Sequence, residues 1–174
     1  MEMIDICWES NIDQALAAIR TNIYMVSPEA TEEATRALLR LPPSEVSSML
    51  GEFLESFDPA DVDFGIEALL IVDADRNFSR VSNYMAGGNR DRRWFVCHLL
   101  CDHPTLSALP DLIRTLENDK DADVKAEACC ALAALNVESA REALKRAQKA
   151  DFDEDGQGDT ISRIASSFLQ RLGE

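Results

Sequence analysis

The sequence predicts an all-α fold, an α-α superhelix (solenoid) of about five antiparallel helix pairs. Apolar residues recur at helical spacing, and no segment shows the alternation of a half-buried strand. A block near the middle also repeats along the chain at a step of about thirty residues. Its sharpest copy occupies residues 108–135, ALPDLIRTLENDKDADVKAEACCALAAL. Stepping back from Val96, Leu99 and Leu100 reaches Ile66, Leu69 and Leu70, and stepping forward reaches Ala128, Ala131 and Leu132. A longer step across an expanded loop leads from Ala128 and Leu132 to Ala165 and Leu169, and a further step back from Ile66 and Leu70 reaches Ala34 and Leu38. A single helix pair cannot bury its own apolar stripe, so copies at this period stack on one another.

The elements follow in order. Ser10 or Asn11 caps a first helix carrying Ile12, Leu16, Ile19 and Ile23 on one face. The second begins at Ser27, with Pro28 and the acids Glu29, Glu32 and Glu33 early in it, and Pro42-Pro43 stops it. Ser44 caps a third through Val46, Met49, Leu50, Phe53 and Leu54, and Asp58-Pro59 opens its partner, which runs toward Val72. The next pair turns at Gly87-Gly88-Asn89, because glycine readily takes the left-handed conformation that ends a helix. The sharp copy forms the fourth pair, and the fifth bridges the loop DFDEDGQGD. The expected pairs span 11–41, 44–73, 77–101, 106–135 and 138–172 of one domain, 1–174.

Length and composition fit that plan, since 174 residues with 46% hydrophobic side chains suffice for one core. No apolar run reaches the eighteen or so residues that cross a bilayer, and the start MEMIDICWESN is acidic where a secretory leader is basic then apolar. The five cysteines are odd in number and sit mostly in helical apolar patterns, as reduced core thiols do. These features point to a cytoplasmic protein. The net charge of −15 is uneven: residues 1–75 hold 16 acidic and 3 basic side chains (net −13), and 76–174 hold 16 and 14 (net −2). Such a field disfavours nucleic acid and anionic lipid and favours a basic partner.

With these residues in view, the 108–135 copy resembles a HEAT repeat of the short type also found in phycobilisome lyase-like proteins. There an early proline leads through an Asp-rich turn to a Val-Lys/Arg-x-x-Ala start of the second helix. Pro110, Asp119, Asp121, Asp123, Val124, Lys125 and Ala128 match. The equivalents of Val124 and Lys125 are Arg92 and Arg93 one copy back, and Val62 and Asp63 one copy earlier. The resemblance implies a curved stack of helix pairs whose second helices line a concave, partner-binding face. It also leaves open a HEAT-like lyase or cofactor-handling protein.

Candidate sites rest on particular side chains. Asp151, Asp153, Asp155, Gly156 and Asp159 follow the opening of an EF-hand calcium loop, in which alternate carboxylates converge on the ion. Ser162 stands where the bidentate glutamate belongs, so a calcium-responsive adaptor and a plain solvated connector both remain open. Cys97, His98, Cys101 and His103 crowd one helix with zinc-type donors, yet Cys97 aligns with Cys129 and Cys101 continues an apolar stripe. No glycine-rich phosphate loop or nucleophile elbow occurs, and no catalytic residue is assigned. Arg90, Arg92 and Arg93 read either as a salt-bridge network or as a dock for an acidic segment.

The expected function is a non-catalytic protein-binding module whose acidic N-terminal repeats meet a basic partner. Glu32, Glu33, Asp61, Asp63 and Glu67 would steer that partner, and Phe64 and Trp94 would anchor it. A narrower form is an immunity protein or inhibitor that neutralises a toxin enzyme.

Overall fold

The computed structural model describes residues 42–173. Over that span the protein is all-helical, with seven α-helices, one 3-10 turn and no strand. The expected first pair, 11–41, lies outside the described residues, as do Ala34 and Leu38.

Helix α1 is Pro43–Phe53 and α2 is Pro59–Gly87. The expected cap at Ser44 is not used: Pro42 holds the cap position and Pro43 opens the helix. Proline's fixed φ suits that first turn, and its missing N–H has no intrahelical partner there anyway. At α2, Asp58 caps as its sequence suggests, accepting from the Ala60 N–H at 3.0 Å.

Two of the expected helices turn out to be joined within α2. A single residue, Asp73, leaves the helical conformation (φ −167°, ψ 89°), and its carboxylate accepts from the Arg76 N–H at 3.0 Å, restarting the helix without a loop. Buried Asn77 donates to the Leu69 carbonyl at 3.0 Å, filling one acceptor stranded at the break. The second segment therefore starts just after Asp73 rather than at Asn77.

Helix α3 is Arg90–Asp102, capped by Asn89 after a turn in which Gly88 is extended (φ −66°, ψ 170°) rather than left-handed as expected, and a 3-10 turn at Leu106–Ala108 leads into α4, Leu109–Asn118. Asp121 caps α5, Ala122–Leu135, which ends at Asn136 in the left-handed region (φ 50°), a conformation asparagine tolerates better than most side chains. Helix α6 is Glu138–Ala150, and α7, Ile161–Arg171, starts at a Thr160 cap.

Helix α3 packs on α5 and α5 on α7, while α2 touches α4 and α4 touches α6. The apolar positions linked by the thirty-residue step within the described span are buried together. Ile66, Leu69, Leu70, Val96, Leu99, Leu100, Ala128, Ala131, Leu132, Ala165 and Leu169 are all buried in one core. Small residues let the helices approach closely. At Gly65 an added Cβ would lie 2.9 Å from the Phe53 Cβ, so the α1–α2 contact has no room for a side chain there.

Charged side chains lock successive turns. Arg93 grips Asp119 with two hydrogen bonds, 2.7 and 3.0 Å, and also donates to the Gly88 carbonyl at 3.0 Å. Lys125 Nζ holds Asp151 at 2.9 Å and Asp153 at 2.7 Å. Burial would raise the Asp119 pKa, but the hydrogen bond from Arg93, with backbone N–H donors of Asp121 and Lys120, outweighs it and holds the carboxyl below its ordinary range.

Arg93 and Asp119 are only 12% and 9% exposed, so removing one partner strands a largely buried charge. Arg93→Ala is expected to lower unfolding stability by about 3 kcal/mol. Arg114→Ala, in an exposed pair with Asp111, should cost under about 1 kcal/mol. Urea denaturation at neutral pH distinguishes these outcomes. Because the Asp119 pKa is depressed on folding, its contribution is complete above the ordinary aspartate value and is lost as pH falls through the lower folded value. The stability gap between native protein and Asp119→Asn should therefore close on acidification below about pH 4.

Candidate functional site

The residues expected to bind a partner separate into inward and outward groups. Asp61 is buried and accepts from the Ser56 hydroxyl at 2.8 Å. Phe64 is also buried, with its ring edge-on to Phe53 at a centroid distance of 5.0 Å. Glu67 is half-buried; burial pushes its pKa up, and the nearby His103 offsets only part of that. Asp63 reaches outward but is engaged by Arg92 at 3.1 Å. Glu32 and Glu33 lie outside the described residues.

Trp94 is the expected anchor nearest the surface. It is half-buried, stacks on the His98 ring (centroids 4.9 Å apart, planes 8° apart), and lines a groove of about 490 Å³ with Pro59, Asp63, Asp91, Arg92 and Phe95. The basic residues at this groove form the salt-bridge network: Arg90 pairs with Asp91, Asp121 and Asp123, Arg92 with Asp63, and Arg93 with Asp119. Their charge is consumed within the fold.

Two exposed aromatics among the described residues escaped the periodic reading, Phe57 and, in the acidic loop, Phe152. Phe57 is fully exposed in the turn between α1 and α2, flanked by the exposed acids Glu55 and Asp58. Helical register carries no information in a turn; the available signal was a large aromatic between two acids just before a proline.

The acidic loop 151–159 folds onto the protein. Asp151 and Asp153 hold Lys125, and Asp155 accepts from the N–H groups of Gln157 and Asp159, each at 2.9 Å. Asp159 pairs with Arg163 at 2.7 Å. From α5, Asp123 accepts from the Gly156 N–H at 2.6 Å. Among the described residues, no three loop carboxylates bring ligand oxygens within 4.8 Å of one another.

The cysteines divide sharply. Cys97 and Cys129 are fully buried, and burial pushes the Cys97 thiol up to about 12. Cys101 and Cys130 are only partly buried and face each other from α3 and α5. With Glu127 they form a group whose ligand atoms all lie within 4.8 Å of one another. The interaction between the two thiols raises Cys101 and lowers Cys130, with burial and the nearby Glu127 carboxylate adding to the rise at Cys101. The His98 Nδ1 lies 3.4 Å from the Glu127 carboxylate. Sequence reading paired Cys101 with Cys97, whereas the structure pairs it with a cysteine on another helix.

Compared with protein-family models, curated proteins and solved structures, the chain matches none.

For the loop, the geometry makes Lys125 the cation that neutralises Asp151 and Asp153. Calorimetric titration of the native protein with calcium is therefore expected to show no saturable heat in the sensor range, tighter than about 10 μM. Binding in that range, lost in Asp153→Ala, would show instead that calcium displaces the lysine.

Proposed function

We propose that the chain is a non-catalytic, HEAT-like helical solenoid that binds a basic protein partner through its acidic N-terminal part. The observation that carries this reading is the surface around Phe57. Residues 42–75 contain nine acidic side chains and no lysine, arginine or histidine, and the fully exposed Phe57 ring projects from their midst. An aromatic that can leave water on binding supplies affinity, and the surrounding carboxylates supply steering and choice of partner.

Exposed Glu52 and Glu55 are the steering groups in this reading, and half-buried Trp94, in the groove beside the Asp63–Arg92 pair, is a second contact. Asp61, Phe64 and Glu67 act from behind, by shaping the helix that presents this surface. An immunity-type inhibitor that masks a basic toxin enzyme is the narrower form of this proposal. Strong acidity and small size suit such an inhibitor, whose task is to cover a cationic active site.

The test begins with affinity capture of a partner on immobilised protein, followed by kinetics with the purified pair. The partner should be basic, and association should slow as salt rises from about 0.05 to 0.5 M. Phe57→Ala should weaken binding by about tenfold or more, mainly through faster dissociation, while Glu52→Lys with Glu55→Lys should slow association. An acidic partner, or kinetics indifferent to salt and to all three changes, overturns the reading.

A further inference from the structure

The face where α3 meets α5 carries a second arrangement, separate from the Phe57 surface. On α3, His98 and Cys101 stand three residues apart; on α5, Glu127 and Cys130 do the same. Residues at that spacing share one side of a helix, so the packed pair gathers Cys101, Glu127 and Cys130, with His98 beside Glu127 at the edge of the group. Facing helices build metal sites in this way, since rigid backbones hold the ligands in place.

The distances support convergence. The Cys101, Cys130 and Glu127 ligand atoms all lie within 4.8 Å of one another. Cys101 Sγ is 3.6 Å from the Glu127 carboxylate, which in turn is 3.4 Å from His98 Nδ1. His98 is oriented by the stacked Trp94 ring, as an outer-sphere residue orients a histidine ligand. The group is partly open to solvent, which gives an ion a route in.

We propose that Cys101, Cys130 and Glu127 form a binding site for a single zinc-like divalent cation, with His98 closing the fourth position. Two thiolates, one carboxylate and one imidazole are the donor types that zinc takes in tetrahedral sites, whereas oxygen-seeking magnesium or calcium would find too few oxygens. The ion replaces the thiol protons, which leave to solvent, and its charge offsets the negative charge gathered by the two sulfurs and Glu127. Cys97 and Cys129 contribute no ligand, because both are sealed in the core.

The test is titration of the full-length, reduced, chelator-treated protein with cobalt(II) as a spectroscopic stand-in, followed by competition with zinc. One equivalent should produce a thiolate-to-cobalt charge-transfer band and the intense d–d bands of a tetrahedral ion, and zinc should abolish both. Cys101→Ser and Cys130→Ser should each weaken binding more than about 100-fold, beyond the 10–100-fold expected of an outer-sphere residue. Cys129→Ala, with its fold checked by circular dichroism, should leave binding intact. His98→Ala should shift the d–d bands; unchanged bands would overturn the assignment of His98. Failure of the reduced protein to develop the charge-transfer band, or undiminished cobalt affinity in folded Cys101→Ser, overturns the site.

Discussion

Near the start of α3 and again near the start of α5, a basic side chain reaches across to the carboxylate that ends the following helix. Arg93 takes Asp119 and Lys125 takes Asp151, and both ends of the link advance by 32 residues, 93 to 125 and 119 to 151. The register of the helix stack depends on this link. Apolar stripes alone tolerate sliding, because one buried leucine resembles the next, whereas a charge held away from water tolerates no loss of its partner. The bidentate arginine also fixes direction and angle in a way that packing cannot.

The same links account for the distribution of free charge. From Arg90 onward, many carboxylates are consumed by neighbouring cations: Asp119, Asp121 and Asp123 by arginines, Asp151 and Asp153 by Lys125. Residues 42–75 contain no lysine, arginine or histidine of their own, and arginines from later in the chain reach two of their acids, Arg92 to Asp63 and Arg76 to Asp73. The acidic loop 151–159 thus becomes part of the scaffold despite its resemblance to a cation loop, while the stretch from α1 to the start of α2 is rich in acids and holds no base.

Burial sorts the cysteines and aromatics by the same logic. Phe64 and Trp94 occupy equivalent places in the repeat, yet Phe64 is packed against Phe53 while Trp94 stays half-open over His98. Cys97 and Cys129 are likewise equivalent and both buried, whereas Cys101 and Cys130 meet across the α3–α5 contact. Equivalence along the chain identifies what packs into the common core; the positions that break equivalence are left for chemistry at the surface.

Helical periodicity, the thirty-residue step of apolar positions and the opening of α2 at Asp58-Pro59 were determined by the sequence alone, because each depends on backbone geometry within a few residues or on a stripe that must leave water. The buried register from Ile66 to Leu169 follows from the same cause. The single-residue break at Asp73, the capture of the acidic loop by Lys125, the inward turn of Phe64, the exposure of Phe57 and the meeting of Cys101, Glu127 and Cys130 were decided only by tertiary structure. Each depends on which side chains from distant segments compete for the same space or the same charge, and that competition exists only once the helices have packed.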